Sequence, residues 1–314
     1  MNIFRNTYNG LRFKHWTLKE TIAYFFKGVA RELNIKPHYF LERYEKIATD
    51  AFNRKWLHHN GDEKYFDFNG VKIPANLEPN FFKFLRIAFD EIFLFSCFYN
   101  DNYDKDFVSF TEKYVMEDIP YCYKDNNFNV TVEKGDVVID AGAWIGDFSA
   151  YAASKGAMVY SFEPEPKLYE LLSKTKKLNP FNEEERIFPI KKALGSHESK
   201  MNLSIDSLGG GAANSLVIHQ GVNETVSVDV VSLDTFVDDN KIRKVDFIKA
   251  DIEGAERDML KGAIYVLKTF APKLSICTYH LPDDPTVIEE IILDANPNYK
   301  IIHFRKKLFA AVTK

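Results

Sequence analysis

Between Leu18 and Phe52, apolar residues recur at intervals of three and four. Leu18, Ile22, Phe25, Phe26, Val29, Ala30 and Leu33 form one series, and Phe40, Tyr44, Ile47, Ala51 and Phe52 nearly repeat it. That period puts each series on one face of a helix, which predicts a small helical N-terminal domain over residues 1–106. The most apolar stretch, FFKFLRIAFDEIFLFSCFY at 81–99, carries Lys83, Arg86, Asp90 and Glu91. Each of these would be costly in hydrocarbon, so a buried amphipathic helix is expected there and no membrane span. The polar run NDNYDKD at 100–106 then reads as a linker or exposed turn.

From Val130 onward the texture changes. Short apolar runs at 137–139, 158–162, 245–248 and 274–278 are each followed by a helix-like segment. Alternation of this kind predicts an α/β domain over residues 107–314, a doubly wound, mostly parallel, Rossmann-like sheet with helices on both faces. Leu168, Leu171, Leu172 and Leu178 mark one helix stripe, and Leu260, Ile264 and Leu267 another. Met201, Leu203 and Ile205, like Val226, Val228 and Val230, alternate with polar residues. They predict a two-stranded insertion around the loop SLGGGAANS.

Composition narrows the classes. The chain has 314 residues, 46% hydrophobic and 27% charged, with a net charge of -4, enough for a large core and more than one domain. Basic residues are scattered among acids, so neither a nucleic-acid groove nor an anionic membrane surface is supported. Arg305, Lys306 and Lys307 read as a solvated turn. Cys97, Cys122 and Cys277 are far apart and lack metal or disulfide spacing, which fits buried thiols in a reducing compartment. The start, MNIFRNTYNGLRFKHW, has no basic region followed by an apolar core, and a cytoplasmic location is expected.

The chemistry centres on VVIDAGAWIGDFSAYAASKGAMVYSFEPEP at 137–166. A dinucleotide site needs Gly-x-Gly-x-x-Gly at the first strand-to-helix turn, but neither register of Gly142 and Gly146 supplies it. The phosphate-cradling Gly-x-x-x-x-Gly-Lys-Ser/Thr loop is also missing, because Gly209, Gly210 and Gly211 run into Ala-Ala-Asn-Ser. What remains is Asp-x-Gly-x-x-x-Gly. Asp140 can help neutralise an ammonium, the glycines admit backbone, and Glu163 at the next strand end is placed to take ribose hydroxyls. S-adenosylmethionine combines an ammonium and a ribose with no phosphate.

Five motifs in order, VVIDAGAWIGDFS, VYSFEPEP, VVSLDTF, VDFIKADIEGAERDMLKGA and CTYH, make the chain resemble the FkbM family of class I S-adenosylmethionine-dependent methyltransferases from about Tyr121 onward. Trp144 stands where that family often has asparagine. The resemblance implies that Asp140, Gly142, Ala143 and Gly146 line the methionine part of the cofactor, that Glu163 holds the ribose, that Ala193 and Leu194 close over adenine, and that Asp251 lies near the reactive methyl. It also implies O-methylation, with a sugar hydroxyl of a polysaccharide, glycolipid or glycosylated natural product as the first choice of acceptor.

Four residues are candidates for catalysis. His280, at the end of the fifth strand, faces the cleft of Asp251 and is the expected general base for an alcohol. His303 is a weaker choice of the same kind. Lys249, Asp251 and Glu253 alternate, and in extended geometry would share one face of the fourth strand; Glu253 also reads as a helix first-turn acid. Asp251, Glu253 and His280 could converge as metal ligands, but paired neighbouring acids are not evident, and no metal is expected. The aromatic-rich N-terminal part suggests acceptor contacts, a dimer surface or plain core packing. Two rival readings are a catalytically silent S-adenosylmethionine binder and a dinucleotide-dependent oxidoreductase.

Overall fold

The computed structural model describes residues 57–68, 70–77, 121–181, 185–205, 214–217, 224–304 and 306–312, with isolated helical positions between 18 and 56. Leu18, Ile22 and Phe26 are helical and exposed. The other members of the two apolar series, the stretch 81–99, the polar run 100–106, Cys97 and the loop glycines 209–211 lie outside the described residues. The chain divides into two units, Met1–Phe66 and Asp67–Lys314.

β1 (Leu57–Asn60) and β2 (Glu63–Phe68) form an antiparallel hairpin, and the boundary of the two units falls within β2, after Phe66. A hairpin here was not part of the helical domain expected over residues 1–106. The segment EKYFDF alternates with period two, and Gly61-Asp62, the two residues between the paired Asn60 and Glu63, with Gly61 at φ 59, is a tight-turn signal that outweighs any helical period.

The second unit is built on a seven-stranded sheet. Its strands are β6 (Val137–Ala141), β7 (Met158–Phe162), β8 (Ile187–Ile190), β12 (Phe247–Ala250), β13 (Lys273–Cys277), β14 (Tyr299–Phe304) and β15 (Lys307–Val312). Their spatial order is β14-β15-β13-β12-β6-β7-β8. β8, β7, β6, β12 and β13 are parallel, and β15 runs antiparallel to both β13 and β14. The chain winds outward in both directions from β6 and β12, so the crevice for a ligand opens at the carboxyl ends of these two strands.

Helices cover both faces. α3 (Leu233–Asp239), α4 (Glu256–Lys261), α5 (Ile264–Thr269) and α6 (Asp284–Ala295) contribute Leu233, Leu260, Val266 and Ile288 to a core with Ile139, Phe162, Ile248 and Ile276. Each such side chain contributes about 1.5–3 kcal/mol on burial. On the other face, α1 (Asp147–Ser154) and α2 (Pro166–Leu178) pack with β3 (Val71–Pro74), and the Phe148 ring lies 6.1 Å from that of Phe247. Of the predicted α2 stripe, Leu168 and Leu172 are buried. The stripe expected through Leu260, Ile264 and Leu267 is split into α4 and α5 at Gly262 and Ala263.

The predicted insertion is present, with one strand more. β10 (Ser199–Ser204) pairs antiparallel with β11 (Thr225–Val231), and β9 (Ala193–Leu194) joins β11 in parallel. Ser232 follows β11 and caps α3 by accepting from Thr235 N at 3.0 Å. A serine so placed is worth about 1 kcal/mol to the helix, which accounts for part of the VVSLDTF motif. A short pair, β4 (Tyr123–Lys124) and β5 (Asn129–Val130), precedes the sheet. No helix among the described residues is long and apolar enough to cross a membrane.

Candidate active site

The backbone leaves β6 through a turn over residues 142–146 that only small or tolerant residues can make. Gly142 has φ 74, and a Cβ placed on it would stand 2.0 Å from the Asp251 carbonyl oxygen. Gly146, at φ 86, is the N-cap of α1, and a Cβ there would lie 2.6 Å from Leu172 Cδ1. The turn is tied to β7: Gly142 N and Ala143 N donate to Phe162 O at 3.1 and 2.9 Å. Trp144, at φ 51, is in the left-handed region where asparagine is several-fold enriched among non-glycine residues. That explains the asparagine usual at this position in the resembled family.

Glu163 follows β7 and is joined to the same turn. Its Oε2 accepts from Trp144 N at 2.9 Å and its Oε1 from Glu165 N at 3.0 Å. Burial pushes its carboxyl up to about 8, against the lowering effect of those two N–H groups. Each oxygen still has a lone pair for a hydroxyl donor. The acid and the glycine turn are therefore one assembly, as a ribose-binding role requires.

Asp140 is less available than the sequence suggested. It is fully buried, its Oδ2 accepts from Ser149 Oγ at 2.6 Å, and its Oδ1 is 3.1 Å from Lys249 Nζ. Lys249 in turn donates to Gly142 O at 2.6 Å and more distantly to Ala141 O at 3.3 Å. The ammonium beside Asp140 in the structure is that of Lys249. Lys249, expected among the catalytic groups, is 4% exposed and holds the carbonyls of the glycine turn in place.

Asp147 begins α1. A helix N-terminus with a glycine turn before it ordinarily favours a phosphate. Here a carboxyl already occupies that terminus, and it is pushed up to about 7 chiefly by burial, with Asp140 adding repulsion and Lys249 opposing.

Past β12 and β13 the second group of candidates does converge. Asp251 Oδ1 and Glu253 Oε2 lie 3.6 and 3.3 Å from His280 Nε2. The way they converge differs from the expectation. β12 ends at Ala250, and Glu253 reaches His280 from a left-handed turn, φ 53, so pleat alternation does not align Lys249 and Glu253. Glu253 lies ahead of α4, where Glu256 and Asp258 are the first-turn acids. Burial would raise the Asp251 carboxyl, but Lys249, Lys307 and His280 outweigh it and hold the group at about 2. Burial alone would lower the His280 imidazole, yet Glu253 and Glu256 raise it to about 10.

Several neighbours were not foreseen. Tyr121 Oη donates to Asp251 Oδ2 at 2.5 Å, and Tyr279 Oη to Oδ1 at 3.2 Å. Glu256 Oε1 is 3.0 Å from His280 Nδ1. Ser215, from the insertion, donates to the Glu253 carbonyl at 2.6 Å. Lys307 was expected on a solvated turn but is buried in β15, its Nζ 5.0 Å from the Tyr121 ring centroid; the ring face and the Asp251 charge draw it inward. Ala193 and Leu194 are also buried, Leu194 in the main core and Ala193 in that of the insertion, so contact of this segment with adenine would come through its backbone. His303 pairs with Glu289 on the surface, at 2.6 Å. Cys277 is buried and Cys122 half-buried, both free.

A family model described as the methyltransferase FkbM domain matches residues 140–300, from Asp140 to Lys300. The chain belongs to this family. Among FkbM-domain and related proteins, it is 25% identical over 170 residues to the hexuronic acid methyltransferase AglP of Haloferax volcanii, covering 54% of this chain and 66% of AglP. It is also similar to the crystal structure of methyltransferase FkbM from Methylobacillus flagellatus KT, at 21% identity and a TM-score of 0.47, covering 76% of this chain and 63% of that one. The chain thus spans slightly under two thirds of the length of both. Within the FkbM domain, the matched segment starts at Asp140, the penultimate residue of β6, and ends in β14.

Proposed function

We propose that the protein transfers a methyl group from S-adenosylmethionine to a hydroxyl of a sugar, carried on a polysaccharide, a glycolipid or a glycosylated natural product. The observation that carries the cofactor class is Glu163 locked to the Trp144 N–H, beside a helix terminus already held by Asp147. Together they favour a cationic, phosphate-free nucleoside. When bound, S-adenosylmethionine supplies a methyl carbon already activated by its sulfonium. Glu163 would take the ribose hydroxyls, and the turn at Gly142 and Ala143 would lie along the methionine part. Methyl transfer then depends mainly on aligning the acceptor oxygen and excluding water. Asp251, Glu253 and His280 lie together across the crevice from Glu163's turn, at the adjoining strand ends, and would position the hydroxyl.

Two features support a sugar. Tyr279 is 40% exposed beside Asp251 and offers an aromatic face to the apolar side of a pyranose ring. AglP, a relative of this chain, is described as acting on a hexuronic acid. Lys306 Nζ, 5.3 Å from the Tyr279 ring centroid, brings positive charge that suits an acidic sugar.

Calorimetry with S-adenosylhomocysteine and NADH tests the cofactor, and labelled methyl transfer to a panel of hexose and hexuronic acid glycosides tests the acceptor. Binding of S-adenosylhomocysteine and labelling of a glycoside are expected. NADH binding in its place would sink the reading, and nucleoside binding without transfer to any hydroxyl acceptor would reduce the protein to a silent binder.

A further inference from the structure

We infer that Asp251, Glu253 and His280 form a divalent-cation site, with open coordination positions facing the place where an acceptor hydroxyl would enter. The use of the cation in methyl transfer rests on the function proposed above; the existence of the site does not.

Geometry is the first support. Asp251 Oδ1, Glu253 Oε2 and His280 Nε2 all lie within 4.8 Å of one another, with the two carboxylate oxygens 3.6 and 3.3 Å from the nitrogen. Ligands at right angles about an ion with bonds of about 2.1 Å are separated by roughly 3 Å, so small side-chain shifts would close the set. Asp251 and Glu253 keep 21% and 20% side-chain exposure; the site is open on the acceptor side.

His280 is the second, independent support. Its side chain is 2% exposed, yet neither ring nitrogen makes an aligned hydrogen bond, although Glu256 Oε1 is 3.0 Å from Nδ1. A buried imidazole aimed at two carboxylates from one nitrogen and at a third from the other has the layout of a metal ligand with its orienting acid. Glu256 is itself fixed, since Oε1 accepts from Ile252 N at 2.8 Å and Oε2 from Gly254 N at 3.0 Å. Tyr121 Oη orients Asp251 through the other carboxylate oxygen, Oδ2.

A second cluster, Glu256, His280 and Asp284, shares the histidine. Asp284 is already engaged, with Oδ1 accepting from Arg257 Nε and Oδ2 from Leu281 N, both at 2.7 Å. Glu256 and Asp284 therefore belong to the supporting layer, and the ion belongs on the Asp251 side. Two oxygens and one imidazole suit Mn²⁺ and its first-row neighbours, with Mg²⁺ a weaker match.

Such an ion lowers the pKa of a hydroxyl placed on it. In the transfer, the acceptor oxygen forms the new O–C bond while the C–S bond breaks with its electron pair going to sulfur, and the hydroxyl proton departs to water.

The test is calorimetric titration of chelator-treated full-length protein with Mn²⁺, in the absence of nucleoside and sugar, with Mn²⁺ electron paramagnetic resonance as a second readout. One saturable site per chain is expected. Asp251→Asn, Glu253→Gln and His280→Ala should each weaken it at least about tenfold, and Glu256→Gln by about 10- to 100-fold as an orienting residue. Asp251→Asn and Glu253→Gln keep shape and remain informative if His280→Ala does not fold. Absence of saturable Mn²⁺, Mg²⁺ and Zn²⁺ binding, or affinity unmoved by these substitutions, overturns the site. S-adenosylhomocysteine titrated into the same samples separates the two readings: metal binding without nucleoside binding removes the methyltransferase reading alone, and the reverse removes the metal alone.

Discussion

Glu163 makes a sharp statement about pH. Its carboxyl is raised from an ordinary 4.5 to about 8 by burial, so between those values the folded protein holds a proton that the unfolded chain has released. The stability it contributes is complete below about pH 4.5 and drains away as pH climbs toward 8. Asp147, raised from 3.8 to about 7, acts with the same sign over a lower window. Ribose hydroxyls donating to Glu163 would favour its ionised form. Binding of S-adenosylhomocysteine at pH 7 is therefore expected to release protons, seen as a binding enthalpy that varies with the ionisation enthalpy of the buffer, and Glu163→Gln should remove most of that dependence. No buffer dependence in the parent protein would show that the acid does not meet the ribose. Trp144 gives a second test. Its φ of 51 costs a bulky residue on the order of 1 kcal/mol, whereas asparagine visits that region readily. Because its bond to Glu163 comes from the backbone N–H, Trp144→Asn should raise the melting temperature by about 2 °C and leave nucleoside affinity within about threefold. A lowered melting temperature would mean that indole packing outweighs the strain.

Strand ends hold the site together, and they also decide what could be read in advance. The turn after β6 and the acid after β7 were legible because each motif is contiguous: an apolar run, an acid, then glycines or prolines in a fixed order. The insertion strands were legible through their period of two. The partners that orient the chemistry were not. Tyr121 is 130 positions from Asp251, and Ser215 is 38 from Glu253, so no local pattern could join them. Lys249 was misread for a related reason. Alternation put it on the correct face, but only the register of β12 against β6, Lys249 opposite Asp140, shows that it meets a buried acid. Cutting one member of this pair leaves the other charged and without its partner in a dry environment. Lys249→Met should therefore cost about 3–5 kcal/mol in a denaturant melt, and adding Asp140→Asn to it should recover a large share. Single and double variants of equal stability would show that the pair does not couple β12 to the glycine turn. The hairpin of β1 and β2 was missed despite its Gly-Asp turn, because helical periods on either side of it dominated the reading.

The sheet as a whole brings acids, glycines and a few cations to one crevice, and the proposed cofactor makes a prediction from these charges. Three carboxyls, Asp140, Asp147 and Asp251, surround Lys249 near the turn, and Glu163 across it, raised to about 8, carries charge only once it gives up its proton. Lys307 and His280 answer Asp251 from the far side, leaving the turn itself short of positive charge. A diphosphate entering here would meet the Asp147 carboxyl at the helix terminus, while a sulfonium nucleoside with its ammonium would meet attraction at short range. Binding to the folded state alone raises stability by RT ln(1 + [L]/Kd), about 2.7 kcal/mol at a hundredfold excess over Kd. For the 314-residue chain, S-adenosylhomocysteine at such an excess is expected to raise the melting temperature by several degrees, and NADH at the same concentration should leave it unmoved. Because the attraction acts partly through exposed charge at the crevice mouth, the nucleoside shift should shrink modestly between 50 mM and 500 mM salt without vanishing. An equal or larger shift with NADH would show that the crevice tolerates a diphosphate against Asp147, and the electrostatic ground for a sulfonium cofactor would be gone.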